Sequence, residues 1–324
     1  MSDSLELLET DVDSNSLYAV FGSFEGEWSV LKFEEWERNP YLLEARREVN
    51  SSSQLWHSSI DQDSYQDYVE EIRREISKGW VYQVNACRLL STESSLDLSH
   101  LFGAIQSSHQ APAAGYLRTG DWEIASASPE TFFKVENRGS KRFITTRPIK
   151  GTSRDGTFSK KDSAENVMIV DLMRNDISPL CRLGTVTVPH LLKTEAHPGL
   201  FHLVSDVEGE LRDGISWREI LERLSPAGSI SGAPKSSALE VISRWEPYRG
   251  AYCGTLGWIH NGEAHFSVLI RTFFKDLRRS ASQTLFGTGA GITWGSDPDA
   301  EWRETELKAE RLVALASGDM AVSK

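Results

Sequence analysis

Cysteine, basic charge and long apolar runs are all scarce in this chain, and each scarcity narrows what it can be. Three cysteines occur in 324 residues. Cys87, Cys181 and Cys253 are odd in number, far apart and without a C-x-x-C pair. That pattern argues against a disulfide framework or a zinc site and for buried reduced thiols in a cytoplasmic protein. Lysine and arginine total 35 against 47 acids, a formal net charge of −12, so no basic face is on offer to neutralise nucleic-acid phosphates. A locally positive pocket for a small anion stays open. No apolar run approaches the ~18 residues that a membrane span requires. The start, MSDSLELLETDVDS, has neither a basic region nor an apolar one, so no signal peptide is expected.

What is present reads as an ordinary globular chain, 39% hydrophobic and 25% charged, long enough for a substantial core. Its ten tryptophans need an interior or a partner to cover them. Residues 16–33 (SLYAVFGSFEGEWSVLKF) predict two strands around a turn, and the polar stretch 50–64 a mobile connection. At 64–79, Tyr65, Val69, Ile72 and Ile76 recur at helical spacing; Ser64 with Asp67 suggests a capping box and Gly79 a stop. A strand over 81–90, a helix over 97–109 and strands at 114–119, 122–127 and 131–136 follow. Asn261-Gly262 suits a type I′ hairpin turn between two β-rich arms. Long strands alternate with amphipathic helices without a βαβ rhythm, which favours an α+β fold with antiparallel sheets.

Four stretches carry candidate chemistry. In TTRPIKGTSRDG (145–156), Lys150 stands at or near a strand end, between β-favouring residues and a turn-rich run. The competing reading is a solvated turn lysine. In KDSAENVMIVDLMRND (161–176), Asp162 and Glu165 are three apart and in phase with Met168, Ile169 and Leu172. Glu301 and Glu304 repeat the pattern after the Asp297-Pro298 helix start, with Leu307, Lys308, Arg311, Leu312 and Leu315 continuing their side. Two inward pairs facing each other would suit Mg²⁺; the alternative is helix-start acids with Arg or Lys partners. GSISGAPKS (228–236) fails the P-loop pattern and GTGAGIT (287–293) fails the dinucleotide fingerprint, leaving close backbone approach and N–H groups for an anionic oxygen. His202 lies in a strand-like run, where a lone histidine is more often a satisfied core residue than a catalytic one. Arg271, in the second hairpin arm, calls for a carboxylate from protein or ligand.

Together SPETFF, PIKGT, AENVMIVDLMRND, FHLVS, SISGAPKSSALEVI, YCGTLGW, VLIRT, GTGAGIT and DAEWRETELKAERL resemble the chorismate-utilising enzymes, in that family's order and over about residues 114–316. The first hundred residues match weakly apart from YQVNACR. The resemblance implies an anthranilate synthase component I-like fold: two sheet-and-helix halves, large mostly antiparallel sheets packed as a sandwich, helices outside. Residues 1–63 would supply strands and a polar connection to the same domain, and 64–318 the chorismate-binding catalytic domain. It implies Mg²⁺ held by Glu165 and Glu304 with Asp162 and Glu301 nearby, and substrate near Gly151, Thr152, Tyr252, Arg271, Gly289, Ala290 and Gly291, with Lys308 and Gln83 as further candidates. Isochorismate and salicylate synthases carry a water-activating lysine where this chain has Gln83. PIKGT, where anthranilate synthases have PIAGT, is the pattern of the branch that aminates C4 of chorismate, with Lys150 as nucleophile, Glu130 as proposed general acid and His202 as a third catalytic candidate. SPETFF departs from the SPERF of many relatives, and the segment between Glu130 and Lys150 is a few residues longer. None of the cysteines has a glutaminase setting, so ammonia is free or comes from a separate glutamine amidotransferase subunit. The rival readings are an anthranilate-forming component and a non-catalytic chorismate-binding subunit.

Overall fold

Apolar residues alternate along the strands between two packing partners, and that alternation builds two stacked sheets. The computed structural model describes residues 4–9, 12, 14–37, 54–93, 96–108, 111–153, 155–197 and 200–318. Part of the N-terminal stretch and residues 50–53 of the polar connection lie outside the described residues. In chain order the elements are β1 (Leu17–Gly22), β2 (Trp28–Phe33), β3 (His57–Ser58), α1 (Gln62–Ser77), β4 (Gln83–Thr92), α2 (Leu98–Ser108), β5 (Gly115–Arg118), β6 (Trp122–Ser126), β7 (Thr131–Arg138) and β8 (Lys141–Thr146). Then come β9 (Ile149–Ser153), α3 (Lys160–Ile177), β10 (Thr187–His197), β11 (Leu200–Glu210), α4 (Trp217–Leu224), α5 (Gly228–Ser231), β12 (Gly232–Ala233) and α6 (Lys235–Trp245). The chain finishes with β13 (Thr255–His260), β14 (Glu263–Val268), β15 (Thr272–Asp276), β16 (Thr284–Ile292) and α7 (Pro298–Ala316).

One sheet has nine strands in the order β10-β11-β8-β7-β14-β13-β1-β2, with β9 also on β11. The other has seven, β12-β4-β16-β15-β6-β5, with β3 on β4. The named ladders are antiparallel throughout. Phe21, Phe133 and Phe266 of the first sheet share a core with Cys87, Trp122, Ile124 and Phe274 of the second. The Phe21 and Trp122 rings meet across it at 5.0 Å. Burying such rings stabilises by about 1.5–3 kcal/mol each, so the sandwich interior carries much of the fold. On the opposite face of the seven-stranded sheet, α1, α6 and α7 cover Val84, Ala86, Ala290 and Ile292, while α2 and α7 cover Leu90, Phe273 and Phe286. The expected α+β sandwich with helices outside is the observed fold.

Local chemistry explains the boundaries. Asn261 and Gly262 both take positive φ (49° and 76°), as the hairpin turn between β13 and β14 requires. Helix α1 starts earlier than the expected Ser64–Asp67 box: the cap is Asp61, whose carboxylate accepts from the Ser64 N–H at 2.8 Å. A buried arginine also joins distant elements. Arg249, 1% exposed, donates to Glu246 and to the Asn85 carbonyl at 2.6 Å. Its own N–H and that of Gly250 reach the Glu25 carboxylate in the β1–β2 turn.

Candidate active site

The chain crosses between the sheets at two neighbouring places, and two of the candidate residues lie on these crossings. From β6 it passes through residues 127–130 into β7, placing Glu130 on the crossing; from β14 it passes through 269–271 into β15, placing Arg271 on the other. The crossings are bonded together: Ser128 Oγ donates to the Val268 carbonyl at 2.6 Å, and Val268 N–H donates to the Glu130 carbonyl at 3.2 Å.

Arg271 differs from the expectation. The second hairpin arm ends at Val268, and Arg271, with φ of 53°, forms the corner instead of a strand position. Its guanidinium has no carboxylate partner among the described residues. Solvent reaches it, yet the protein around it desolvates the charge enough to lower its pKa.

Glu130 is buried, and burial raises its carboxyl above the ordinary value, with the Lys150 charge and a hydrogen bond from Ser229 pulling the other way. Ser229 Oγ donates to Glu130 Oε1 at 3.1 Å. Lys150 Nζ donates to the Ser229 carbonyl at 3.3 Å. Lysine and acid therefore meet at one residue of the α5 turn. Lys150 is the second residue of β9, which stays extended through Ser153; Gly151 continues the strand with φ of 87°. A Cβ there would also press on Asp162, at 3.1 Å. His202 lies in register with Thr152 on the adjacent β11. The side chain of Thr152 lies outside the described residues.

The glycines of GTGAGIT serve packing first. A Cβ at Gly287 would stand 2.0 Å from the Tyr252 ring, and one at Gly291 2.5 Å from Gln83 Nε2. Gly289, Ala290 and Gly291 lie in the ladder opposite Cys87, Ala86 and Asn85. Ladder β15–β16 ends at Phe273–Phe286, where the chain turns at Arg271, so β16 from Gly287 on is paired on the β4 side. Gln83 is 2% exposed and its Oε1 has no hydrogen-bond partner among the described residues. Tyr252 is buried.

The four metal candidates do not form one cluster: among the described residues no three His, Cys, Asp or Glu side chains stand together as a metal-binding group. Asp162 closes the capping box of α3, accepting from Ser159 N at 2.8 Å and Oγ at 2.7 Å. Glu301 is buried, Glu165 half-buried. Glu304 and Leu307 are exposed, outside the buried stripe of α7 that runs through Glu301, Thr305, Ala309 and Leu312. The expected phase holds for the first acid only, because three residues advance a helix by less than a turn. Glu304 instead pairs with Lys308 at 2.6 Å, and Lys308 also donates to the Gly289 carbonyl at 2.9 Å. Carboxylate oxygens are nonetheless the ligand type a hard cation takes, with water and substrate oxygens completing its shell.

Sequence reasoning passed over two residues. Ser229 stands in GSISGAPKS, which the sequence marks for backbone N–H groups and family resemblance but not for this side chain. Asn166, wholly buried on α3, donates to the Leu203 carbonyl at 3.1 Å and accepts from Ser205 Oγ at 2.5 Å, fixing α3 to β11. An amide inside an otherwise apolar helical stripe was the available signal.

A lysine and a buried acid that meet at Ser229, with an arginine corner on the neighbouring crossing, mark the seam of the two-sheet sandwich as the candidate site. Residues 29–314 match the family of chorismate binding enzymes, and the chain belongs to that family. It is 35% identical over 273 residues to aminodeoxychorismate synthase component 1 of Salmonella typhimurium, covering 80% of this chain and 58% of that one. It is 34% identical over 275 residues to anthranilate synthase component 1 of Saccharolobus solfataricus, covering 80% and 63%. The chain thus spans less than two thirds of the length of these relatives. The structure of anthranilate synthase component I from Streptococcus pneumoniae superposes with a TM-score of 0.78 at 22% identity, over 96% of this chain and 84% of that one, which shows the shared fold.

Proposed function

We propose that the chain is the chorismate-aminating component of an aminodeoxychorismate synthase, making 4-amino-4-deoxychorismate for p-aminobenzoate and folate. The observation that carries this reading is the convergence of Lys150 and Glu130 on Ser229, 3.3 and 3.1 Å away. The Lys150 amine attacks C2 of chorismate. The conjugated diene relays the electron pair to C4, and the C4 hydroxyl leaves as water with the proton of Glu130. Ammonia then bonds to C4, the pair returns along the diene, and the C2–N bond to lysine breaks. A raised Glu130 pKa supports the acid role, since the carboxyl stays protonated further up the pH scale. Arg271, and Lys308 beside Gly289, would hold the substrate carboxylates, with Gly151, Thr152, Tyr252, Ala290 and Gly291 around the ring. His202, in register with Thr152, is a further candidate. Gln83 supplies an amide where a water-activating amine would be needed for hydration.

Mg²⁺ would be held by Glu165 and Glu304, with Asp162 and Glu301 close by, and when bound would offset a substrate carboxylate. Ammonia would come from a glutaminase partner: burial pushes the Cys181 thiol up to about 11 and Cys253 up to about 12, the opposite of an activated nucleophile.

The test is product identity from chorismate, ammonium and Mg²⁺, with mass spectrometry of the protein when ammonia is withheld. An adduct on Lys150, and a product that a 4-amino-4-deoxychorismate lyase converts to p-aminobenzoate, are expected. Anthranilate as the sole product, undiminished in Lys150→Ala, rejects the reading.

A further inference from the structure

We infer that Ser229 is a positioning residue that sets both partners of the reaction, assigning the acid proton to Glu130 Oε2 through its hydroxyl and aiming the Lys150 lone pair through its carbonyl. The inference deepens the amination reading and rests on it for the lysine half.

A serine hydroxyl has one proton to give, and the Ser229 hydroxyl gives it to Glu130 Oε1. An oxygen accepting that bond is not the one carrying the acid proton. The proton of the neutral carboxyl therefore resides on Oε2, for which no partner exists among the described residues. Glu130 is thus not free to present either oxygen. On the other side, a neutral lysine amine has two N–H bonds and one lone pair. Tying one N–H to the Ser229 carbonyl confines the directions in which the lone pair can point.

The turn that holds Ser229 is itself tightly placed. Ile230 and Ser231 N–H groups both reach the Ala227 carbonyl, at 3.2 and 3.1 Å. Gly228 lies so close to α3 that a Cβ would stand 2.7 Å from Leu172 and 3.1 Å from Asp176 Oδ2. Just beyond the turn, Lys235 forms a largely buried ion pair with Asp176 at 2.9 Å and donates to the Leu224 carbonyl at 3.1 Å. Both groups of Ser229 are consequently offered in fixed directions, as orientation effects in catalysis require.

The charged group that acts on Glu130 is Lys150; Ser229 is the other influence besides burial. Because the serine bond favours the ionised carboxylate, removing it leaves a carboxyl that ionises at higher pH. The experiment follows chorismate consumption against pH in wild type, Ser229→Ala and Ser229→Thr, with products identified separately. Ser229→Ala should lower kcat about tenfold to a hundredfold with KM within about twofold. The descending limb, where acid is lost as pH rises, should move upward in pH. Ser229→Thr, which keeps the hydroxyl, should restore both. The infrared carboxyl band assigned by difference against Glu130→Gln gives the same titration without turnover. A limb and a carboxyl titration that stay in place in Ser229→Ala overturn the inference. Wild type that yields anthranilate without a lysine adduct overturns the amination reading and the lysine half, while the carboxyl titration still decides the Glu130 half.

Discussion

Glu130, the proposed general acid, is a buried carboxyl whose ionisation works against the fold. Its raised pKa means the folded protein holds the proton more tightly than the unfolded chain does. The contribution to stability is fully present below the ordinary carboxylate pKa and is lost as pH rises through the raised one. Glu130→Gln, neutral at every pH, should therefore melt above wild type at pH 8, with the gap closing below about pH 4, the unfolded carboxylate range. The same variant should lose about 10²–10⁴-fold in kcat, the usual worth of a positioned acid. Calorimetry and turnover on one preparation check both signs. Lys150 and Glu130 were legible because their types sit in recognisable motifs. Ser229 was not, since what it contributes is partly a backbone carbonyl, which any residue possesses. Arg271 was legible as a cation in want of a carboxylate, from protein or ligand, and misplaced by three residues of strand, because nothing in Leu269-Ile270-Arg271 announces a left-handed corner.

Helices and strands were read well where one face is plainly apolar, as in α1, and less well where polar groups enter the buried stripe. Helix α3 is the case in point. Its innermost polar residue is Asn166, and its bonds to Leu203 and Ser205 hold the helix on β11. Asn166→Ala should cost about 1–3 kcal/mol, the penalty for stranding buried partners, seen as a lower urea midpoint. Strand β16 makes a complementary prediction. Gly287→Ala places a methyl where the Tyr252 ring lies and should destabilise by roughly 1–3 kcal/mol through overpacking, with chorismate binding weakened alongside. Helix α3 also carries the test of the metal proposal: Glu165→Gln should abolish Mg²⁺-dependent turnover and measurably weaken Mg²⁺ binding by calorimetry while the circular dichroism spectrum is kept. An unchanged titration removes Glu165 from the site.

At the scale of the molecule, Arg249 links the β1–β2 turn, β4 and the end of α6, and it is matched by the nearly buried Glu246. Arg249→Met would leave that carboxylate uncompensated and should cost about 3–5 kcal/mol in denaturant unfolding. The three thiols are all buried, so the native protein should resist a thiol-reactive dye until denatured, and glutamine alone should give no aminated product. The overall antiparallel layout was legible from strand rhythm and the missing βαβ alternation. Which strands cross between the sheets was not, because that depends on pairings between residues more than a hundred positions apart.

Among the described residues strand β9 is hydrogen-bonded to β11 alone and otherwise packs on α3, and its lysine makes one long hydrogen bond. Exchanging that side chain removes little of what keeps the polypeptide folded, and Lys150→Ala should stay within about 0.5 kcal/mol of wild type. The chemistry proposed for Lys150 would thus rest on a side chain that bears little of the frame's load, leaving that position open to exchange without loss of the fold.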